Sequence, residues 1–217
     1  MLDIICYIPF MDTPYNTPIT GCVLAGGKSR RMGADKALLE LDGKTLIAIA
    51  LEKFSGLKEI FISAAGADDY AFTGFRTIPD DRPGIGPLGG FISALKAAES
   101  ELVCFRPVDA PFVPSGLHPL LARACYGRDA AVPVSGNLQE PLLACLSKSA
   151  LPVLENLAAA NNFKAADAYP LLDTVYVNLD DPEMISAFGD PSVYLVNAND
   201  AVTFEKLRSG FFRSSFP

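Results

Sequence analysis

The residues best suited to chemistry gather in one loop, Leu24-Ala25-Gly26-Gly27-Lys28-Ser29-Arg30-Arg31-Met32-Gly33, with Asp35-Lys36 close behind. Adjacent glycines let backbone N–H groups approach an anion, because no Cβ stands in the way. Cations then neutralise phosphate oxygens and hold them in register. Lys28, Arg30, Arg31 and Lys36 supply four such charges within nine positions, in a chain whose formal net charge is −7. The spacing is neither the GxxxxGK[ST] of a Walker A loop nor the GxGxxG of dinucleotide binding. Loop chemistry alone leaves two readings open: a phosphate-binding loop, or a solvated turn with incidental charge.

Three other segments carry carboxylates or amides where a ligand could meet them. Asp109 lies in Arg106-Pro107-Val108-Asp109-Ala110-Pro111, its backbone constrained by prolines on both sides. Such a carboxylate suits a hard cation like Mg²⁺, which takes one or two protein carboxylates plus phosphate oxygens; it would equally cap a turn. Asp80 and Asp81 open the stretch Arg82-Pro83-Gly84-Ile85-Gly86-Pro87-Leu88-Gly89-Gly90, whose backbone could lie against a base. In Asn178-Leu179-Asp180-Asp181-Pro182-Glu183, the last three residues read as helix N-cap, N1 and first turn. Asn178 and Asp180 are therefore the ligand candidates there.

Hydrophobic periodicity places these segments. Strands are predicted at 19–25, 59–64, 75–78, 101–106, 129–134, 141–146 and 174–178, and helices at 43–54, 88–98, 115–125, 147–160 and 201–208. The strands at 129–134 and 141–146 read as a pair around a Gly136-Asn137 turn. Alternation of strands with helices predicts an α/β fold: a Rossmann-like three-layer α/β/α arrangement, mostly parallel, with one antiparallel strand. In such sheets ligands bind outside the carboxyl ends of the strands, so the loops after Leu24, Ser63, Ile78, Arg106 and Val177 should converge. Residues 1–18 read as an N-terminal extension, 19–189 as the domain and 190–217 as a C-terminal tail.

Composition narrows the function classes. Half of the 217 residues are hydrophobic, enough for a sizeable core. The acidic balance argues against general nucleic-acid binding, and no segment reads as a membrane span. Five cysteines, Cys6, Cys22, Cys104, Cys125 and Cys145, show no CxxC pair and read as buried free thiols in a cytoplasmic protein. His118 is the one histidine, read as a loop or helix-end residue, so histidine-based catalysis would depend on it alone.

The signature loop resembles that of the molybdenum cofactor guanylyltransferases, the MobA family. Gly86-Pro87-Leu88-Gly89-Gly90, Asp109-Ala110-Pro111-Phe112, Glu140-Pro141-Leu142 and Asn178-Leu179-Asp180-Asp181-Pro182-Glu183 resemble its later motifs in the same order. The resemblance implies a nucleotidyltransferase that moves GMP from GTP onto molybdopterin with Mg²⁺ and releases pyrophosphate. It implies GTP contacts by Leu24, Ala25, Gly26, Gly27, Lys36, Ser63, Asp80 and Asp109, with Asp109 as the metal ligand. Asp109, Lys36 and Arg30 become the catalytic candidates, and Asn178 and Asp180 face the molybdopterin. Cofactor-insertion proteins or molybdoenzyme chaperones are the protein partners it suggests. The alternatives are a relative using CTP or a sugar phosphate, and a non-catalytic nucleotide-binding relative.

Overall fold

The computed structural model describes residues 4–5, 18–26, 35–80 and 84–209. Its frame is a mixed sheet of β1 (Ile4–Ile5), β2 (Ile19–Leu24), β5 (Glu59–Ala64), β6 (Arg76–Pro79), β7 (Leu102–Pro107), β8 (Ala130–Ser135), β10 (Cys145–Ser147) and β11 (Thr174–Asn178). The spatial order is β1-β11-β8-β10-β7-β2-β5-β6. All neighbours run parallel except β10, which is antiparallel to both β7 and β8. The expected sheet type is therefore the observed one.

Each central strand is buried on both faces, and its side chains alternate between two cores. Val23 of β2 and Cys104 of β7 join the core under α1 (Leu46–Glu52), α3 (Leu117–Cys125), α5 (Pro182–Phe188), α6 (Pro191–Tyr194) and α7 (Ala201–Arg208). Cys22, Leu24, Val103 and Phe105 face the other core, under α2 (Pro87–Ala97) and α4 (Leu151–Ala159). On the first face Gly21 permits close packing: a Cβ there would sit 2.6 Å from Cγ of Phe54. Cys22, Cys104, Cys125 and Cys145 are buried free thiols, as expected; Cys6 lies outside the described residues.

The strand sequence reverses beside β2. The chain leaves β2 for β5 and β6 on one side, then returns to β7 on the other. The loops after β2 and β7 therefore part in opposite directions and open a crevice at their carboxyl ends.

Some local expectations need correction. The helix expected at 43–54 begins only at Leu46, capped by the Thr45 side chain. Before it, β3 (Glu40–Leu41) and β4 (Lys44–Thr45) form a small hairpin. Asp42 and Gly43 both take positive φ, 54° and 75°, as a two-residue type I′ turn requires. The strand expected at 141–146 is shorter and later, because β9 (Leu138–Gln139) takes up the hairpin with β8. His118, expected in a loop or at a helix end, is the second residue of α3, and its side chain is buried in the core.

Candidate active site

The first loop leaves β2 at Leu24, and both its described ends are held. Ala25 donates its N–H to the Ser63 carbonyl at 2.9 Å, and Val108 donates to the Leu24 carbonyl at 3.1 Å. On the far side, Asp35 caps a short 3-10 turn, Lys36–Leu38, accepting from the Ala37 N–H at 3.0 Å. Tyr70 joins the two ends: its hydroxyl donates to Asp35 Oδ2 at 2.7 Å and lies 3.4 Å from the Ala25 carbonyl. Burial, then the Asp35 carboxylate, pushes the Tyr70 phenol up, so it remains a donor. Gly27, Lys28, Arg30, Arg31 and Asp81 lie outside the described residues.

Lys36 and Asp109, 73 residues apart, meet across the crevice. Lys36 Nζ is 3.1 Å from Asp109 Oδ2, with side chains 19 % and 20 % exposed. Asp109 occupies its position because Arg106 holds the loop behind it. The Arg106 guanidinium is fully buried and donates to the Val113 carbonyl at 3.1 Å and the Ala110 carbonyl at 2.6 Å. Among the described residues its bonds go to carbonyls alone, and its Nε has no partner. Burial lowers its pKa to about 9. A buried charge is costly unless hydrogen-bonded; here those bonds fix the turn that carries Asp109. An arginine inside an otherwise apolar strand was the available signal for this role, and the sequence reading did not use it.

Asp80 follows β6, and its N–H donates to the Ala64 carbonyl at 3.2 Å. Ser63 is buried, and its hydroxyl points at Asp80 Oδ1 at 3.4 Å. The paired glycines of α2 have a packing role beyond the expected flat backbone. A Cβ on Gly90 would collide with Ser63 Oγ, and one on Gly89 would lie 2.9 Å from Ile85 Cγ1 and 3.5 Å from Asp80 Cγ. Small residues there let the helix start approach the strand ends that bear Ser63 and Asp80.

On the opposite side, Asp180 is engaged with the β8–β9 hairpin. It accepts from the Ser135 hydroxyl at 2.8 Å and the Gly136 N–H at 2.5 Å. Asn178 Oδ1 accepts from the Asp180 N–H at 3.1 Å. Burial first, and then the charge of Asp109, push the Glu140 carboxyl up from its ordinary value. Lys36, Asp109, Ala25, Ser63 and Asp80 thus gather around the ends of β2, β5, β6 and β7. Asn178 and Asp180 stand at the end of β11.

Residues 21–169 match the profile described as the MobA-like NTP transferase domain, well over half of the chain. The chain belongs to that family. A relative from Pelotomaculum thermopropionicum, named a probable molybdenum cofactor guanylyltransferase, is 35% identical over 194 residues, covering 87% of this chain and 91% of its own. One of the same name from Carboxydothermus hydrogenoformans is 32% identical over 190 residues, covering 87% and 94%. Among solved structures, the molybdopterin-guanine dinucleotide biosynthesis protein A of Archaeoglobus fulgidus superposes with a TM-score of 0.77 at 25% identity, covering 89% of this chain and 99% of that one. The family match ends before β11, so the shared profile spans the Lys36–Asp109 crevice and stops short of Asn178 and Asp180.

Proposed function

We infer that this protein is a molybdenum cofactor guanylyltransferase, moving GMP from GTP to molybdopterin and releasing pyrophosphate. The observation that carries this reading is the pair of relatives so named, aligned over 87% of the chain. The Lys36–Asp109 crevice at the strand reversal supports it, since it sets one ammonium and one carboxylate where phosphates would enter. The described residues include no helix long and apolar enough to cross a membrane; a cytoplasmic location accompanies the proposed activity.

Asp109 fits the role of a Mg²⁺ ligand. Its carboxylate already draws a positive centre, the Lys36 ammonium, at 3.1 Å. The described residues form no closed cluster of three or more His, Cys, Asp or Glu. One or two carboxylates completed by substrate oxygens and water is how Mg²⁺ is commonly held. When bound, the ion would neutralise phosphate oxygens and lower the cost of charge at the reacting phosphorus.

The chain's own residues contribute position and charge. Backbone groups of Leu24, Ala25 and Gly26, with Gly27, border the phosphates. Lys36, with Arg30 of the same loop as its partner, offsets charge on the α-phosphate and on departing pyrophosphate. Asp80 accepts from the guanine ring, with Ser63 behind it. The attacking group is the terminal phosphate of molybdopterin: its oxygen bonds to the α-phosphorus as the bond to the β-phosphate oxygen breaks. That nucleophile is already an anion, so no general base is needed. Asn178 and Asp180, by holding the β8–β9 turn, would border the molybdopterin.

Asp109→Ala is expected to lower turnover by orders of magnitude in an assay of pyrophosphate release from GTP, molybdopterin and Mg²⁺. Near-normal activity of that variant would remove Asp109 from the mechanism. GTP rather than CTP should raise the melting temperature of the parent protein, because a ligand bound only by the native state stabilises it. A larger shift with CTP would reassign the base.

A further inference from the structure

The Lys36 ammonium has a second partner, and it comes from the far end of the chain. Lys36 Nζ donates to Asn199 Oδ1 at 3.0 Å, as well as to Asp109 at 3.1 Å. The same segment grips Asp109 directly, since the Ala198 N–H donates to the Asp109 carbonyl at 2.8 Å. Asn199 is held from both sides. Before it, Tyr194 and Ala198 are fully buried; after it, Phe204 and Leu207 enter the core beneath α7. Its own N–H closes a tight turn onto the Asn197 carbonyl at 2.8 Å, and Asp200 caps α7 through the Thr203 N–H at 2.8 Å.

The orientation of this amide follows from chemistry. An ammonium has donors and no acceptor, so it must meet the amide oxygen, which turns the NH₂ group elsewhere. Among the described residues that NH₂ has no partner, and Asn199 is exposed at the crevice. The residue type matters as well. A carboxylate at this position would orient Lys36 equally well, but with Asp109 it would outweigh the lysine's charge. An amide orients the ammonium and leaves its charge unchanged, the arrangement required where an anion must still be attracted.

We propose that Asn199 is a nucleotide-site residue supplied by the C-terminal segment: its carbonyl orients Lys36 and its NH₂ donates to an oxygen of the bound triphosphate. The proposal rests on the reading of Lys36 as a phosphate ligand. It gives residues 191–208 a part in the site, which the sequence alone left as a tail.

The test measures GTP binding by calorimetry, with and without Mg²⁺, on the full chain. Asn199→Asp retains an acceptor for Lys36 and is nearly isosteric. It should keep the parent's melting temperature yet weaken GTP binding at least about tenfold, from a lost charge-assisted hydrogen bond and added repulsion. Asn199→Ala should weaken binding less, and its effect should shrink in a Lys36→Ala background, because coupled residues are non-additive. If Asn199→Asp binds GTP within about twofold of the parent while Lys36→Ala is impaired, the Asn199 assignment is overturned and the Lys36 reading stands. If Lys36→Ala itself binds GTP normally, the phosphate role of Lys36 falls and this proposal with it.

Discussion

Replacing His118 with Phe should flatten the acid limb of the protein's stability. His118 is fully enclosed: its ring packs 4.4 Å from that of Phe54, Nδ1 lies 3.2 Å from the Ser115 carbonyl, and Nε2 has no partner among the described residues. Burial first, then the Arg106 charge, lower its pKa from 6.5 to about 3; the Ser115 bond opposes them, and Lys53 adds a lesser lowering. The sign follows from proton uptake. Below pH 6.5 the unfolded chain binds a proton that the folded chain refuses, so stability falls as pH falls. Between pH 7.5 and pH 5, a group shifted from 6.5 to 3 removes about 2 kcal/mol of stability. Denaturant midpoints of the parent and His118→Phe at the two pH values measure this. Carboxylates titrate in both proteins, so the difference of differences isolates the imidazole. Loss of the Ser115 bond would cost the variant about 1 kcal/mol at every pH, an offset and not a slope. Equal pH dependence in the two proteins would refute the reasoning. So would an imidazole proton resonance that titrates near pH 6.5, easily read because the chain has one histidine. The same burial predicts that the pH profile of turnover shows no histidine step.

Two further substitutions probe how the frame holds the crevice. Gly21→Ala places a methyl group 2.6 Å from Phe54 Cγ and should destabilise by about 1–3 kcal/mol through overpacking. Denaturant unfolding measures the loss, and Phe54→Leu in the same chain should recover part of it. Arg106→Lys keeps a charge but cannot span two carbonyls as a planar fork does. It should raise the Mg²⁺ concentration needed for half-maximal turnover more than it raises the KM for GTP. An unchanged metal dependence would mean that Arg106 stabilises the Asp109 turn without setting the carboxylate's position.

Much of the molecule was legible along the chain because its signals are local. The unbroken apolar run Cys22, Val23 and Leu24, which enters two cores in turn, and helical spacing in Leu88, Phe91, Ile92 and Leu95 follow from where apolar residues must point. Once strands alternate with helices, the right-handed crossover rule leaves few topologies, and ligands belong at the strands' carboxyl ends. Lys36 and Asp109 could therefore be assigned to one crevice across 73 residues. Two-residue strands such as Glu40–Leu41 are too short for any period to reveal.

What only the tertiary structure decided concerns partners without a pattern. An arginine ending an apolar strand signals a buried cation, but which carbonyls its guanidinium turns back to bind, those of Ala110 and Val113, is set by the folded loop. Asp180 reads as a ligand candidate at a strand end, yet it meets Ser135 and Gly136 because β11 lies beside β8. Lys36 and Asn199 are separated by 163 residues, and an asparagine in a polar turn after the last predicted strand carries no periodicity. Local propensity and burial specify which elements form and which faces are covered. Which polar atoms then meet across the crevice depends on packing contributed by the whole chain.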